Sequence, residues 1–271
     1  MPALPEFNDR HMVPAAAIDS FAANGHALVR GLASAAEVAA WRPLLGAAAL
    51  EHRYDKRPLT ERETYGKAFI QATNLWQRDA RLAPFTLAPR FAGVAAALLG
   101  VDAVRIYHDQ ALFKEPDGGY TPWHQDQTYW PLATDRTITL WMPLVDVPAK
   151  VGTMHFVSGS HRRGDLDVAG ISDRTQAHFQ GLIEEHGWPV HTYGALHAGD
   201  ATFHGGWTLH SAAANPTRLL REVMTIIYFA DGTRVAPLRH KAQGHDLRAW
   251  LPGCAPGDLA ATPLNPRLGP P

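Results

Sequence analysis

The chain has 271 residues, of which 46% are hydrophobic and 19% charged, and its 25 basic residues nearly balance 26 acidic ones. This composition is typical of a globular protein with one large or two small domains. The net charge of −1 disfavours nucleic acid and anionic membranes as partners. The single cysteine, Cys254, excludes an internal disulfide. Apolar stretches such as 91–101 are too short to span a bilayer and no signal-peptide pattern is present, so we expect a cytoplasmic protein.

The first hundred residues are predicted to be mostly helical. Ser34 and Glu37 have the spacing of a capping box and open an alanine-rich helix. A second apolar run, 89–99, ends at Gly100, a common residue at the end of a helix. The polar segment 56–81 between them has no clear periodicity.

After residue 100 the pattern changes to short segments rich in Val, Ile, Thr and aromatic residues. The predicted strands are 102–114, 137–146, 153–157, 190–194, 201–204, 207–211 and 221–230. Many short strands separated by turn residues predict a sandwich, barrel or jelly roll. We expect one domain over 1–271, mainly β with flanking α-helices. Its parts are a mostly helical flank at 1–100, a β core at 101–235, a lid-like insertion at 161–189 and an irregular tail at 251–271.

Four residues form an ordered set with metal and carboxylate chemistry. In an extended strand, His124 and Asp126 point to one face and can supply a nitrogen and an oxygen to the same ion. His210 ends a later β-type segment, and two histidines with one carboxylate are the facial triad of non-haem Fe(II) oxygenases. Arg221 follows eleven residues later, and its planar guanidinium suits a remote carboxylate.

This set and its surroundings resemble the phytanoyl-CoA dioxygenase (PhyH)-like Fe(II)/2-oxoglutarate oxygenases. The resemblance is carried by FKEPDGGYTPWHQDQTYWP (113–131), LWMPLVDV (140–147), GTMHFVSGSHRRG (152–164) and GDATFHGGWTLHSAAANPTRLLR (199–221). It implies a double-stranded β-helix, or jelly roll. It also implies that the catalytic residues and Fe(II) ligands are His124, Asp126 and His210.

The resemblance further assigns the co-substrate site. Arg221 is expected to bind 2-oxoglutarate, and Gln110 and Trp141 occupy positions of further co-substrate contacts. Thr139 shares a strand face with Trp141 and is expected at the same site. Related halogenases replace the carboxylate ligand by a small residue, whereas this chain keeps Asp126, which disfavours halogenation.

Substrate contacts are expected from residues that flank these positions. Trp123 and Gln127 lie beside the His-x-Asp triplet, and Lys67 and Gln71 could cover the cavity from the helical side. His204 lies six residues before His210, and we expect it to be a structural histidine.

The implied reaction is hydroxylation of an unactivated C–H bond of a small or medium-sized organic substrate, with Fe(II), 2-oxoglutarate and O₂ as cofactor and co-substrates and succinate and CO₂ as products. We expect a small-molecule substrate, no nucleic-acid or membrane partner, and a monomer or small homo-oligomer. Two alternatives remain open: a metal-dependent cupin enzyme that does not use 2-oxoglutarate, and a non-enzymatic jelly-roll binding module. Arg221 discriminates between the enzymes, because without a co-substrate carboxylate it needs another partner.

Overall fold

The computed structural model describes residues 3–166 and 170–270. The helices are α1 Ala15–Asn24, α2 Ala35–Glu51, α3 Thr64–Ala68, α4 Leu75–Arg78, α5 Ala83–Thr86, α6 Pro89–Leu99, α7 Asp173–His186 and α8 Lys241–Trp250. The strands are β1 His26–Val29, β2 Ile70–Thr73, β3 Val104–Phe113, β4 Thr121–His124, β5 Thr137–Pro143, β6 Met154–Val157, β7 Val190–His191, β8 Ala201–Gly205, β9 His210–Ala212, β10 Val223–Ala230 and β11 Arg267–Leu268.

The strands form two antiparallel sheets. The large sheet has the order β1-β8-β5-β10-β3-β11, with β2 also paired to β3, and the small sheet has the order β4-β9-β6-β7. From β3 to β6, and again from β7 to β10, consecutive strands alternate between the two sheets, as in a jelly roll. The predicted fold class, mainly β with flanking helices, is confirmed.

A helical layer covers one face of the large sheet. Apolar residues of α2 and α6, such as Trp41 and Phe91, pack with Ile106, Leu140 and Ile226 of the central strands, all nearly inaccessible to solvent. Burial of each such side chain stabilises the fold by about 1.5–3 kcal/mol. The helices therefore pack on one face of the large sheet, and the opposite face of that sheet lines the cavity.

Both predicted helix signals are confirmed. The Ser34 hydroxyl accepts from the backbone N–H of Glu37 at 3.2 Å, and the Glu37 carboxylate accepts from the Ser34 N–H at 2.7 Å. Gly100 ends α6 with φ of +63°, a left-handed conformation that glycine adopts without steric cost.

The strand register aligns the cavity-facing residues in rows. His204 of β8 lies opposite Thr139 of β5, and β10 connects Thr139 to His108 of β3. The next cavity-facing row contains Trp141 and Gln110, again linked through β10. Side chains two residues apart on a strand share a face, so both rows face the small sheet.

The structure refines the predicted elements. The flank 1–100 is mostly helical, and it also contributes β1 and β2 to the large sheet, because their backbones pair with β8 and β3. The strand predicted at 207–211 begins only at His210, since Gly206 and Trp207 form a turn. The segment 161–189 contains α7, while its residues 167–169 lie outside the described part.

One stretch, Ala80–Leu99, is long and apolar enough to cross a membrane by length and composition, contrary to the expectation from the sequence. In the fold, 61% of its most apolar window is buried. It contains α5 and α6, and α6 packs against the large sheet through residues such as Val94 and Leu98. Such burial is typical of a core helix, so this stretch is weak evidence for a membrane span.

Asp109 connects the large sheet to the helical layer. Its fully buried carboxylate accepts from the backbone N–H groups of Leu75 at 2.6 Å and Trp76 at 3.2 Å, and from the Thr86 hydroxyl at 2.9 Å. Burial raises the pKa of Asp109 to about 6 despite these three donors. The carboxylate thus satisfies the first amides of α4 and attaches α5 to β3.

We expect Asp109→Ala to destabilise the fold by about 2–4 kcal/mol, because three buried donors lose their acceptor. Urea denaturation of the variant and of wild type measures the difference. Asp102→Ala is the matched control, since Asp102 is exposed. Equal stability of the Asp109 and Asp102 variants would contradict this role.

Candidate metal centre and its cavity

The predicted triad comes together at one end of the small sheet. His124 is the last residue of β4 and pairs in register with His210, the first residue of β9. From the sequence, Asp126 is expected on the same extended strand as His124. In the structure, Asp126 instead begins a 3-10 turn, Asp126–Tyr129. The ligand atoms of the three residues all lie within 4.8 Å of one another. A turn rather than strand alternation therefore brings the carboxylate to the histidines.

Backbone carbonyls fix the orientation of both imidazoles. The Nδ1 atom of His124 lies 2.7 Å from the Pro122 carbonyl, and the Nδ1 atom of His210 lies 2.9 Å from the Thr208 carbonyl. A carbonyl only accepts, so each Nδ1 carries the proton and each Nε2 presents a free lone pair. These Nε2 atoms face the Oδ1 atom of Asp126 at 3.5 and 3.7 Å. This donor set fits a divalent cation.

The second oxygen of Asp126 is held by two other side chains. The Thr139 hydroxyl donates to Oδ2 at 3.1 Å, and His204 Nε2 lies 3.3 Å from the same atom. The buried Nδ1 of His204 has no hydrogen-bond partner among the residues that the structure describes. The expectation of a merely structural His204 is therefore incomplete, because this histidine orients the carboxylate and leaves Oδ1 toward the triad.

The charges of the triad suit a metal site at neutral pH. Burial by itself would raise the pKa of Asp126, but His210, His124 and His204 hold it well below its ordinary value. Burial, with the neighbouring imidazoles, keeps the pKa of His210 well below its ordinary value. An ionised carboxylate beside the neutral imidazole of His210 is a protonation state that binds metal without first releasing protons from these two groups.

Arg221 is a buried cation on the wall of the same cavity. One of its terminal nitrogens donates to the Gly152 carbonyl, and its buried Nε has no partner in the described parts of the chain. Burial lowers the pKa of Arg221 to about 9. Burial, together with the charge of Arg221, lowers the pKa of Lys114 to about 6, so this neighbouring amine is mostly neutral at pH 7. Arg221 is therefore a buried cation without a counter-ion in the described residues, which favours an anionic ligand here.

The other predicted co-substrate residues also line the cavity. The guanidinium of Arg221 lies 5.3 Å from the ring centre of Trp141, and Gln71 donates to the side-chain oxygen of Gln110 at 2.7 Å. Thr139, Trp141, Gln110 and Gln71 all face the space between the sheets. The sequence prediction thus identifies residues that share one cavity, whose volume is about 620 Å³.

Three predicted substrate contacts lie outside the cavity lining. Trp123 packs with Phe179 and Ile183 of α7, and its indole donates to a glutamine of that helix. Gln127 donates to the Thr134 carbonyl at 3.1 Å and stabilises the turn after β4. Lys67 lies at the end of α3, half-buried, away from the lining. The structure therefore does not place Trp123, Gln127 and Lys67 in the lining of this cavity.

The sequence gives no signal for much of the remaining lining. Residues from β3, α8, the turn after β4 and the segment before β2 contribute rings and polar groups; they include Tyr65, Phe69, His108, Tyr129, Asp246 and Trp250. Apart from Tyr129, which lies in the quoted segment 113–131, they follow no motif, so the fold identifies them.

Comparison with known proteins gives a consistent result. The family described as phytanoyl-CoA dioxygenase (PhyH) matches residues 21–223, which is 203 of the 271 residues. A probable alpha-ketoglutarate-dependent hypophosphite dioxygenase of Stutzerimonas stutzeri is 29% identical over 133 residues. That match covers 47% of this chain and 46% of the relative, so the chain spans a little under half the length of that relative.

Two solved structures cover almost the whole chain. The non-heme alpha ketoglutarate dependent carbocyclase SnoK from nogalamycin biosynthesis is 27% identical, with a TM-score of 0.77 over 94% of this chain and 96% of that one. The epimerase SnoN, in complex with Fe3+, alpha ketoglutarate and nogalamycin RO, is 26% identical, with a TM-score of 0.76 over 93% of this chain and 97% of that one.

We expect His204→Leu to weaken divalent-metal binding by about 10- to 100-fold, because Asp126 loses one of the two groups that orient it. Titration of the metal-free protein with Co(II), followed by visible absorbance, measures the affinity. His155→Leu is the control, since His155 lies on β6 and does not line the cavity. Unchanged affinity in the His204 variant would rule out the orienting role.

Proposed function

Because the chain belongs to the phytanoyl-CoA dioxygenase (PhyH) family, we propose that it is an Fe(II)- and 2-oxoglutarate-dependent dioxygenase that hydroxylates an unactivated C–H bond of a small or medium-sized organic molecule. One observation carries the proposal. A His-Asp-His ligand set and a buried arginine without a counter-ion line the walls of a single cavity.

His124, Asp126 and His210 would hold the iron through two imidazole Nε2 atoms and Oδ1. Three protein ligands on one side leave positions for a bidentate co-substrate and for oxygen. Bound iron, with 2-oxoglutarate and O₂, supplies the oxidising chemistry and yields succinate, CO₂ and a hydroxylated product. The fit rests on the donor atoms, since both histidines present Nε2 and the carboxylate is ionised.

Arg221 would hold the carboxylate of 2-oxoglutarate that is remote from the iron. Its guanidinium has unused donors, and the Trp141 ring beside it restricts where the carboxylate can lie. A planar guanidinium can donate two parallel hydrogen bonds to one carboxylate. In the same row, Gln110 and its partner Gln71 would form a polar wall that positions the ligand.

The protein's remaining task is to position the substrate and exclude bulk water. The lining contains the rings of Tyr65, Phe69, Tyr129 and Trp250, which desolvate a bound organic molecule. No protein nucleophile is needed, because the iron centre supplies the oxidising step.

A second candidate reaction has specific support. The solved relatives at 26–27% identity are named as a carbocyclase and an epimerase. Ring closure or epimerisation would use the same metal and co-substrate residues. The products differ in composition: hydroxylation adds one oxygen atom, oxidative ring closure removes two hydrogen atoms, and epimerisation leaves the formula unchanged.

The proposed function is tested by a metabolite screen for compounds that stimulate Fe(II)-dependent conversion of 2-oxoglutarate to succinate. We expect mass spectrometry under ¹⁸O₂ to find one labelled oxygen atom in the product. His124→Ala should abolish both signals, because the site has no spare ligand. A cupin enzyme that does not use 2-oxoglutarate would form product without succinate, and a binding module would form neither.

We expect Arg221→Ala to weaken 2-oxoglutarate binding by roughly 30-fold to several-thousand-fold, because the carboxylate loses its partner in a desolvated site. Arg221→Lys should restore only part of the affinity, since an ammonium lacks the planar pair of donors. The measurement is anaerobic titration of the Fe(II) protein, followed by the metal-to-ligand charge-transfer absorbance.

Arg218→Ala is the matched control for that titration. Arg218 lies three residues away and is exposed, so its loss should leave 2-oxoglutarate binding unchanged. Iron binding should persist in all three variants. Indistinguishable curves for Arg221→Ala and Arg218→Ala would assign the carboxylate to another residue or remove the protein from the 2-oxoglutarate class.

A further inference from the structure

Asp246 is a carboxylate on the cavity wall without a cation. It lies on α8, and the Tyr107 hydroxyl donates to its Oδ2 at 3.1 Å. No ion pair involves Asp246 among residues 3–166 and 170–270. Other shielded carboxylates have more partners: Asp200 and Glu222 form ion pairs, and Asp109 accepts three hydrogen bonds. In the described parts of the chain Asp246 has one donor, the Tyr107 hydroxyl, so it can still accept a cation.

A β-bulge directs β3 toward this carboxylate. The register between β3 and β10 shifts so that Ile227 lies opposite His108 while Tyr228 lies opposite Ile106, which leaves Tyr107 without an opposite residue. In a β-bulge, two consecutive residues of one strand lie opposite a single residue of the partner strand. The direction of a side chain at the bulge changes as a result. Tyr107 and His108 accordingly lie side by side with ring centres 5.2 Å apart, and Tyr107 reaches Asp246.

Asp246 and Arg221 lie toward opposite ends of the cavity. His108, beside the Asp246 partner Tyr107, is six residues before Lys114, which pairs with Arg221 across the sheet. At about 3.3 Å per residue, this separation along β3 is roughly 20 Å. The row of His108 also contains Thr139, the hydrogen-bond partner of Asp126. Along the strands, the metal ligands therefore lie level with the Asp246 end and farther from the cationic end.

Aromatic residues line the same cavity as the carboxylate. The Trp250 ring lies 4.5 Å from that of His108, and both line the cavity. Burial, with the negative charges of Asp126 and Asp246, raises the pKa of Tyr129, so its hydroxyl lies within electrostatic reach of both carboxylates. A ligand at Asp246 would consequently lie close to the triad. A carboxylate that shares a cavity with tryptophan and tyrosine rings is a favourable environment for an ammonium group.

We propose that the acidic end of the cavity, defined by Asp246, Tyr107, Tyr129 and Trp250, binds a protonated amine of the substrate, which is therefore an amine with an apolar ring system. The identification of this ligand as the substrate rests on the proposed oxygenase function. An anionic substrate is disfavoured here, since it would place a second negative charge beside Asp246. A neutral alcohol could accept or donate a hydrogen bond but would leave the carboxylate charge uncompensated.

The protonation state of Asp246 supports this inference. Burial raises the pKa of Asp246 to about 7, although the hydrogen bond from Tyr107 opposes the rise. Burial also lowers the pKa of His108 to about 4, so that neighbour is neutral at pH 7. The other titratable groups facing this end are Tyr129 and His245. A bound ammonium would favour ionised Asp246 and release its proton.

The test uses a matched pair of probes, 2-(1-naphthyl)ethylamine and 2-(1-naphthyl)ethanol, titrated into the metal-free 271-residue protein by calorimetry. They share the ring system and differ in one group. We expect the amine to bind about 10- to 100-fold more tightly than the alcohol at pH 7, which corresponds to roughly 1.4–2.8 kcal/mol. Equal affinities, or binding of neither probe, would overturn the proposal.

Asp246→Asn should abolish the preference for the amine while the alcohol binds as before, because the amide keeps the shape and removes the charge. Asp19→Asn is the matched control, since Asp19 is exposed on α1 and removes the same charge away from the cavity. A preference that persists in the Asp246 variant would assign amine recognition to another group.

A measurement on wild type makes the test independent of how the variant folds. Amine binding at pH 7 should release about half a proton, detected as a dependence of the binding heat on the buffer's ionisation enthalpy, whereas the alcohol should release none. Amine binding without proton release would contradict the role of Asp246. These titrations contain no iron or 2-oxoglutarate, so their failure is distinguishable from failure of the oxygenase assignment.

Discussion

The carboxylate of Asp126 connects the two sheets through the hydrogen bonds that its Oδ2 atom accepts. Thr139 of β5 and His204 of β8 hold this oxygen from the large sheet, while the Oδ1 atom faces the histidines of the small sheet. Because the carboxylate begins a turn, its position depends on these hydrogen bonds and not on strand alternation. The geometry of the metal centre therefore depends on the spacing between the sheets, which the helical layer behind β5 and β10 maintains.

The rest of the cavity contains two charged side chains, Arg221 and Asp246, that have no ion-pair partner among the described residues. Arg221 is buried at one end and Asp246 is partly buried at the other. A shielded charge without an opposite charge beside it is costly, so a ligand that neutralises it gains binding energy. The two ends differ in sign, which allows a dicarboxylate and an amine to bind at different ends of the cavity without competing.

Much of the site could be predicted from the sequence because its residues fall in short, ordered motifs. The His-x-Asp triplet, the later histidine and the arginine eleven residues beyond it identify the residues that the structure brings to one cavity. The β segments were also predictable, since β-branched and aromatic residues alternate with turn residues along the second half of the chain. The capping box of Ser34 and Glu37 fixed the start of α2 for a local reason.

The remaining features depend on long-range packing. The bulge at Tyr107 requires a register shift between β3 and β10 that no local pattern reveals, and without it strict alternation would direct Tyr107 away from the cavity. Trp123 and Gln127 flank the metal triplet in sequence, yet α7 and the turn after β4 occupy their side chains. Proximity in sequence is thus a poor guide to the substrate face, whereas the distant α8 supplies Asp246.

The most direct measurement is an anaerobic crystal structure with Fe(II) and 2-oxoglutarate. We predict one iron ligated by His124 Nε2, Asp126 Oδ1 and His210 Nε2. The Oδ2 atom of Asp126 should remain hydrogen-bonded to Thr139 and His204. We also predict that the co-substrate chelates the iron and that its remote carboxylate lies on Arg221. Iron bound elsewhere, or 2-oxoglutarate bound without contact to Arg221, would contradict the account.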